Sequence, residues 1–211
     1  WSVNQFDHNA TRLSRDGESL GTYSVSALSR TLAFDGERVW TSGCWETLLY
    51  RLDVDGNAID PVETEGAGPI VLFFDGEHIW TANAHSDTVT KFSRDGEALG
   101  NFDVGDVPIA FTEEGDHIWV ANWREHTVSK LSKDGEDLGR FDTGRLPYGI
   151  EFDGEHIWTS NSMDGTVSKL SLDGEVVATY PVGAAPAKIL SVNGEIWVTL
   201  TSDDSIARLK P

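Results

Sequence analysis

Three histidines, His8, His85 and His126, stand in short polar segments, two of them reading Ala84-His85-Ser86-Asp87 and Trp123-Arg124-Glu125-His126. Imidazole titrates near neutrality and ligates metals, so His85 or His126 with Glu46 or Glu125 has the composition of a general base beside a metal-bound substrate. Two tryptophans, Trp45 and Trp123, occupy the same kind of segment, where a large aromatic offers contact area at low entropic cost. Arg30, Tyr148 and Lys188 form a second set, two cations and a phenol suited to an anionic or carboxylate group. No nucleophile elbow, His-Glu-x-x-His zinc motif or phosphate loop is present. Cys44 is the only cysteine, so the chain has neither an intramolecular disulfide nor a multi-thiolate metal site.

Whether these residues converge depends on a repeat. Tryptophan returns at Trp1, Trp40, Trp80, Trp119, Trp158 and Trp197, at intervals of 39 or 40 residues. A unit of that length cannot bury its apolar face alone and must stack on its neighbours. The copy from Pro69 to Asp106 reads as four strands, Ile70 to Phe74, His78 to Ala82, Thr88 to Ser93 and Ala98 to Val104, here lettered A to D. Asp75-Gly76 and Asp95-Gly96 are expected to supply the positive φ angles of two-residue hairpins. Four antiparallel strands in about 40 residues make a β-propeller blade, and no 3.6-residue periodicity competes with that assignment. The fold class is therefore all-β, one propeller domain over residues 1–211.

Strands A and D occur five times in this reading, B and C six times. Six repeats of 39 residues would take 234, and the 211 present fall short by 23, about two strands. A six-bladed ring incomplete at its N/C junction is expected, with five blades as the alternative. The B–C and D–A loops then share one face around the channel mouth. Arg30, Trp45, His85, Trp123, Arg124, His126, Tyr148 and Lys188 all fall on that face and are the expected ligand-binding residues. His78, His117 and His156 recur in one position before Ile-Trp and read as packing residues. Asn4, Asn83, Asn122 and Asn161, which close strand B, are expected to hydrogen-bond the B–C turn backbone.

The pattern F-D-G-x-x-[IV]-W-[TV]-x-N, followed by V-[ST]-K-[LF]-S-x-D-G-E and V-G-x-x-P, resembles the YVTN, NHL and virginiamycin B lyase-like propellers. The resemblance covers essentially the whole chain but rests on motifs that build blades. With no nucleophile beside its base, the chain reads as a non-enzymatic binding or scaffold propeller for a protein, glycan or small ligand, with no cofactor. The resemblance also admits a metal-assisted lyase, which would bring magnesium. Exported relatives imply an extracellular or periplasmic setting.

Composition narrows the partners. With 35 acidic against 16 basic residues the formal charge is −19, and no window supplies the basic stripe that a phosphate backbone requires, so nucleic acid is excluded. No apolar run reaches the ~18 residues of a membrane span. The expected assembly is a monomer or an oligomer sharing strands across open blade edges.

Overall fold

A computed structural model describes residues 1–25, 29–43 and 45–210, so Cys44 lies outside the described residues. Among them there are 22 strands and no helix. The chain divides into two units, Trp1–Asp103 and Val104–Pro211, each carrying three antiparallel sheets.

In the first unit, β1 (Ser2–Asn4), β2 (Asn9–Leu13) and β3 (Ser19–Ser24) form a three-stranded sheet. β4 (Ser29–Phe34) to β7 (Ala58–Glu63), with β5 (Arg38–Gly43) and β6 (Leu48–Asp53) between, form a sheet of four. β8 (Pro69–Phe74), β9 (Ile79–Asn83), β10 (Thr88–Phe92) and β11 (Ala98–Asp103) form another. The second unit has sheets β12 (Pro108–Glu114), β13 (His117–Asn122), β14 (Thr127–Ser132), β15 (Asp137–Asp142) and β16 (Pro147–Phe152), β17 (Ile157–Asn161), β18 (Thr166–Leu170), β19 (Val176–Pro181). Its last sheet has three strands, β20 (Pro186–Val192), β21 (Glu195–Leu200) and β22 (Ser205–Leu209). Strands A and D therefore occur five times and B and C six times, and the six sheets agree with the count from sequence.

Sheets stack by a repeated rule. The tryptophan face of one sheet meets the isoleucine face of the next: Trp40 packs with Leu72, Ile79 and Phe92, and Trp119 with Ile150, Ile157 and Leu170. Trp158 meets Ile189 and Ile196 in the same way. Each tryptophan is also clamped within its own sheet. The cross-strand cation of strand C lies over its ring, Arg51 on Trp40, Lys91 on Trp80, Lys130 on Trp119 and Lys169 on Trp158, at 5.0 to 5.5 Å. An aromatic of strand D lies against the tryptophan in four sheets, Tyr23 on Trp1, Phe102 on Trp80, Phe141 on Trp119 and Tyr180 on Trp158. Arg51 and Lys130 extend further, donating to the carbonyls of Asp95 and Leu172 in the following sheet.

Both hairpin expectations need correction. In the A–B turn the aspartate precedes the bend: Phe74 pairs with Ile79, and the positive φ belongs to Gly76 alone. Asp75 Oδ1 accepts the backbone N–H groups of Glu77 and His78, while Oδ2 accepts the Trp80 indole N–H at 2.8 Å. Asp35 and Asp153 do the same for Trp40 and Trp158. Only Asn193-Gly194 is a two-residue turn with positive φ at both residues, joining Val192 to Glu195. The C–D turns have three residues: Ser93 N–H donates to Glu97 O, Gly96 N–H returns to Ser93 O, and Gly96 has φ +95°. That is a type I turn closed by a left-handed glycine, with a bulge at Lys91/Phe92.

The asparagines also differ from expectation. Asn83 Nδ2 donates to the hydroxyls of Thr88 and Thr90, Asn122 to Thr127 and Ser129, and Asn161 to Thr166 and Ser168. They tie strand B to strand C instead of capping the loop backbone, and Asn4 does so through Asn9 Oδ1 and the Thr11 hydroxyl. A Cβ on Gly66, Gly105 or Gly144 would strike the asparagine of the same repeat, so the glycine opening each D–A loop makes room for it.

Candidate functional site

The B–C and D–A loops of one sheet are bonded to each other. His85 N–H donates to Ala67 O, Arg124 N–H to Asp106 O and Met163 N–H to Arg145 O. Two left-handed positions recur in these loops. In the B–C loop they fall on His8, Asp87, His126, Gly165 and Asp204; in the D–A loop on Gly68, Val107, Leu146 and Ala185. A β-branched residue at φ +58°, as at Val107, is held there by the surrounding structure at a cost of roughly 1–3 kcal/mol.

Within the first unit the structure brings two expected residues together. Trp45 and His85, from neighbouring sheets, have ring centroids 5.1 Å apart at 41°. Trp45 is 76 % exposed and His85 is exposed as well. A Cβ at Gly68 would fall on the His85 ring, so this glycine, at φ +68°, lets the imidazole lie against the backbone and turn toward Trp45. Arg30 is also exposed. It stands in the irregular register between Ser29 and Leu32, a bulge that re-aims the side chain.

Within the second unit, Lys188 Nζ lies over the Tyr148 ring at 5.6 Å. Both residues occupy the same bulge at the start of strand A, between Pro147 and Gly149 in one sheet and between Pro186 and Ile189 in the next. Arg124 is exposed, whereas Trp123 is half-buried with an indole N–H that finds no partner among the described residues. His126 is committed to the fold: its Nδ1 accepts the N–H of Leu146 at 3.1 Å and holds that left-handed residue in place. A pair that sequence reading missed, Arg145 and Asp164, closes the neighbouring loop at 2.6 Å. The backbone and guanidinium N–H groups of Arg145 hold the Asp164 carboxyl below the usual aspartate range. Beside it, Thr143, Gly144, Asp164 and Thr166 help line a shallow recess of about 270 Å³.

Three of the residues named for metal-assisted elimination, His126, Glu125 and Glu46, have partners within the fold. Glu125 accepts from Arg140 at 3.1 Å and from Thr127, and Glu46 is hydrogen-bonded to Tyr50, whose hydroxyl burial and that carboxylate together push to a higher pKa. No three histidine, aspartate or glutamate side chains converge as a metal site among the described residues. His78, His117 and His156 are half-buried beside the turn carboxylates, with His117 Nδ1 2.8 Å from Glu114.

These loops and sheets can be set beside known structures. Virginiamycin B lyase from Staphylococcus aureus superposes with a TM-score of 0.81 over 97 % of this chain and 78 % of its own, at 15 % identity. The fold is a β-propeller. A functionally unknown protein from Desulfotomaculum acetoxidans matches this propeller at TM-score 0.83, 13 % identity, 99 % of this chain and 78 % of that one. BamB from Moraxella catarrhalis matches at 0.72 and 15 % identity over 95 % and 66 %. No protein-family model matches the sequence, and no curated protein matches it. At these identities the propeller neighbours share the architecture alone.

Proposed function

We propose that the chain is a non-enzymatic binding or scaffold propeller that presents its B–C and D–A loops to a protein, glycan or small ligand, in an extracellular or periplasmic setting. The observation that carries this reading is the Trp45–His85 pair, an indole three-quarters exposed and held in place by a neighbouring ring. An isolated, solvated indole on a loop contributes little to folding, whereas a pre-oriented aromatic pair suits a partner's sugar face, aromatic ring or apolar side chain. The exposed Arg30 in the same unit adds a cation that suits acidic or polar groups on such a partner. The lyase reading has less support, because His126, Glu125 and Glu46 are bonded to neighbouring loop and strand residues.

The reading is tested by selecting ligands from a glycan array and a displayed peptide library on the wild-type chain. Retesting them on Trp45→Ala and on Val54→Ala, a substitution in a C–D turn, separates the loops from the rest of the surface. Loss of about ten-fold or more in affinity with Trp45→Ala, and none with Val54→Ala, is the expected result. Ligands indifferent to Trp45 would overturn the reading.

A further inference from the structure

The recess beside Asp164 arises where two side chains are shorter than their counterparts one sheet earlier. In the β12–β15 sheet the B–C loop carries Glu125, which accepts from the Thr127 hydroxyl at 3.0 Å and from Arg140 of strand D at 3.1 Å, so the space between loop and strand is closed. In the β16–β19 sheet the same positions hold Asp164 and Thr179. Asp164 turns to the backbone and guanidinium N–H groups of Arg145, and Thr179 is exposed, its hydroxyl without a partner among the described residues. What Arg140 and Glu125 fill in one sheet is a recess of about 270 Å³ in the next, lined also by Thr143, Thr166, Ser168 and Val176.

The hydroxyls around this recess have definite polarities. Asn161 Nδ2 donates to Thr166 Oγ1 at 3.1 Å and to Ser168 Oγ at 2.9 Å, so each oxygen already accepts and its own proton is left to donate. In the preceding sheet the Thr127 proton goes to Glu125, and in the β8–β11 sheet the Thr90 proton goes to Asn101 of strand D. Thr166 and Ser168 have no such acceptor among the described residues, although Ser168 is only 2 % exposed. Thr143 has the reverse polarity. The Thr159 proton goes to Asn161 Oδ1, so in the 2.6 Å contact between Thr143 and Thr159 it is Thr143 that donates, leaving its oxygen to accept. The two oxygens of Asp164 keep lone pairs for donors beyond Arg145.

We propose that this recess binds a neutral polyol ring, a single pyranose. Each ring hydroxyl can give and take a hydrogen bond, which matches two donors, Thr166 and Ser168, set beside two acceptors, Thr143 and Asp164. The C–H groups of the ring fit the side chain of Val176, 46 % exposed beside them. Asp164, the charged residue of the lining, is already paired with Arg145, which favours a ligand without charge. At about 270 Å³ the space lies below the ~300–1,000 Å³ of sites for drug-sized molecules, which limits the occupant to one ring. The recess belongs to the second unit and does not involve Trp45, so either proposal stands if the other fails.

Saturation-transfer-difference and amide-correlation NMR on the 211-residue chain, with the methyl pyranosides of glucose, galactose, mannose and N-acetylglucosamine at about 20 mM, test the inference. At least one is expected to bind with a Kd on the order of 1 mM and to shift the Ser168 and Thr179 amides. Thr179→Arg places an arginine where Arg140 closes the preceding sheet and is expected to abolish those shifts. Ser168→Ala removes one donor and is expected to weaken binding about ten-fold. Thermal melts establish that both variants are folded. Silence of the whole panel would overturn the inference, as would binding that Thr179→Arg leaves intact or that only methyl glucuronide, the anionic control, produces. Binding lost with Trp45→Ala and kept with Thr179→Arg would overturn it too and assign the sugar to the Trp45–His85 pair.

Discussion

The A–B turns at Asp75 and Glu114 occupy the same place in the repeat and differ by one methylene. At Asp75 the carboxylate closes on two backbone N–H groups and on the Trp80 indole. At Glu114 the longer side chain swings to His117 and toward Lys130, 3.7 Å away, and the indole N–H of fully buried Trp119 has no partner among the described residues. Both tryptophans are buried and both lie under a lysine, so packing survives the exchange. The polar clamp is lost and the turn tightens, with Glu114 pairing directly with His117. The tryptophan position is thus set by stacking between sheets, and the aspartate adds stability to an arrangement that exists without it.

If so, removing the clamp should cost far more at one turn than at the other. Asp75→Ala is expected to lower stability by about 2–3 kcal/mol, since it strands a buried indole and two turn N–H groups, while Glu114→Ala costs below about 1 kcal/mol. Equal losses in urea titrations would break the comparison. Acid should act on the same turns. Burial pulls the carboxyls of Asp35, Asp75 and Asp153 upward, but the indole bond and the backbone N–H bonds outweigh it, and each pKa falls below the ordinary 3.8. A depressed folded pKa gives stability that is complete above the unfolded value and lost as pH falls through the folded one. Melting temperatures should therefore drop below about pH 4, and less steeply in Asp75→Asn; an acid transition unaltered by that change would remove Asp75 from the account.

Glu114→Asp sharpens the comparison from the other side. It should give Trp119 its missing partner and raise stability by about 0.5–1.5 kcal/mol, with a shift in indole emission as the check. Trp45→Ala, in a loop where no clamp operates, should change stability by no more than about 0.5 kcal/mol.

The fold was legible because its signals are periodic. Tryptophan spacing and turn glycines are repeated five or six times, and each repetition removes alternatives for strand number and order. The turn geometry was less legible. Asp-Gly suggests a two-residue bend, yet Asp75 spends its carboxylate on Trp80, a contact five residues away that no dipeptide preference encodes. The strand-C cations were visible as a repeated Lys or Arg, but their place over tryptophan follows from cross-strand register. Of the loop residues, Trp45 pairs with His85 and Tyr148 with Lys188, whereas His126 looked like a catalytic candidate and proves to hold Leu146. Nothing in the residue type separates those outcomes; a left-handed backbone two loops away decides them.

The reach of Arg51 to the Asp95 carbonyl, and of Lys130 to that of Leu172, bears on how such a chain lengthens. A carbonyl is offered by every amino acid, so the receiving repeat needs no particular side chain to accept its neighbour. A duplicated stretch of gene would arrive with its donor encoded and its acceptor guaranteed. Repeats linked in this way can be added, lost or shuffled without matching mutations on the other side of the junction, while their loops diverge independently.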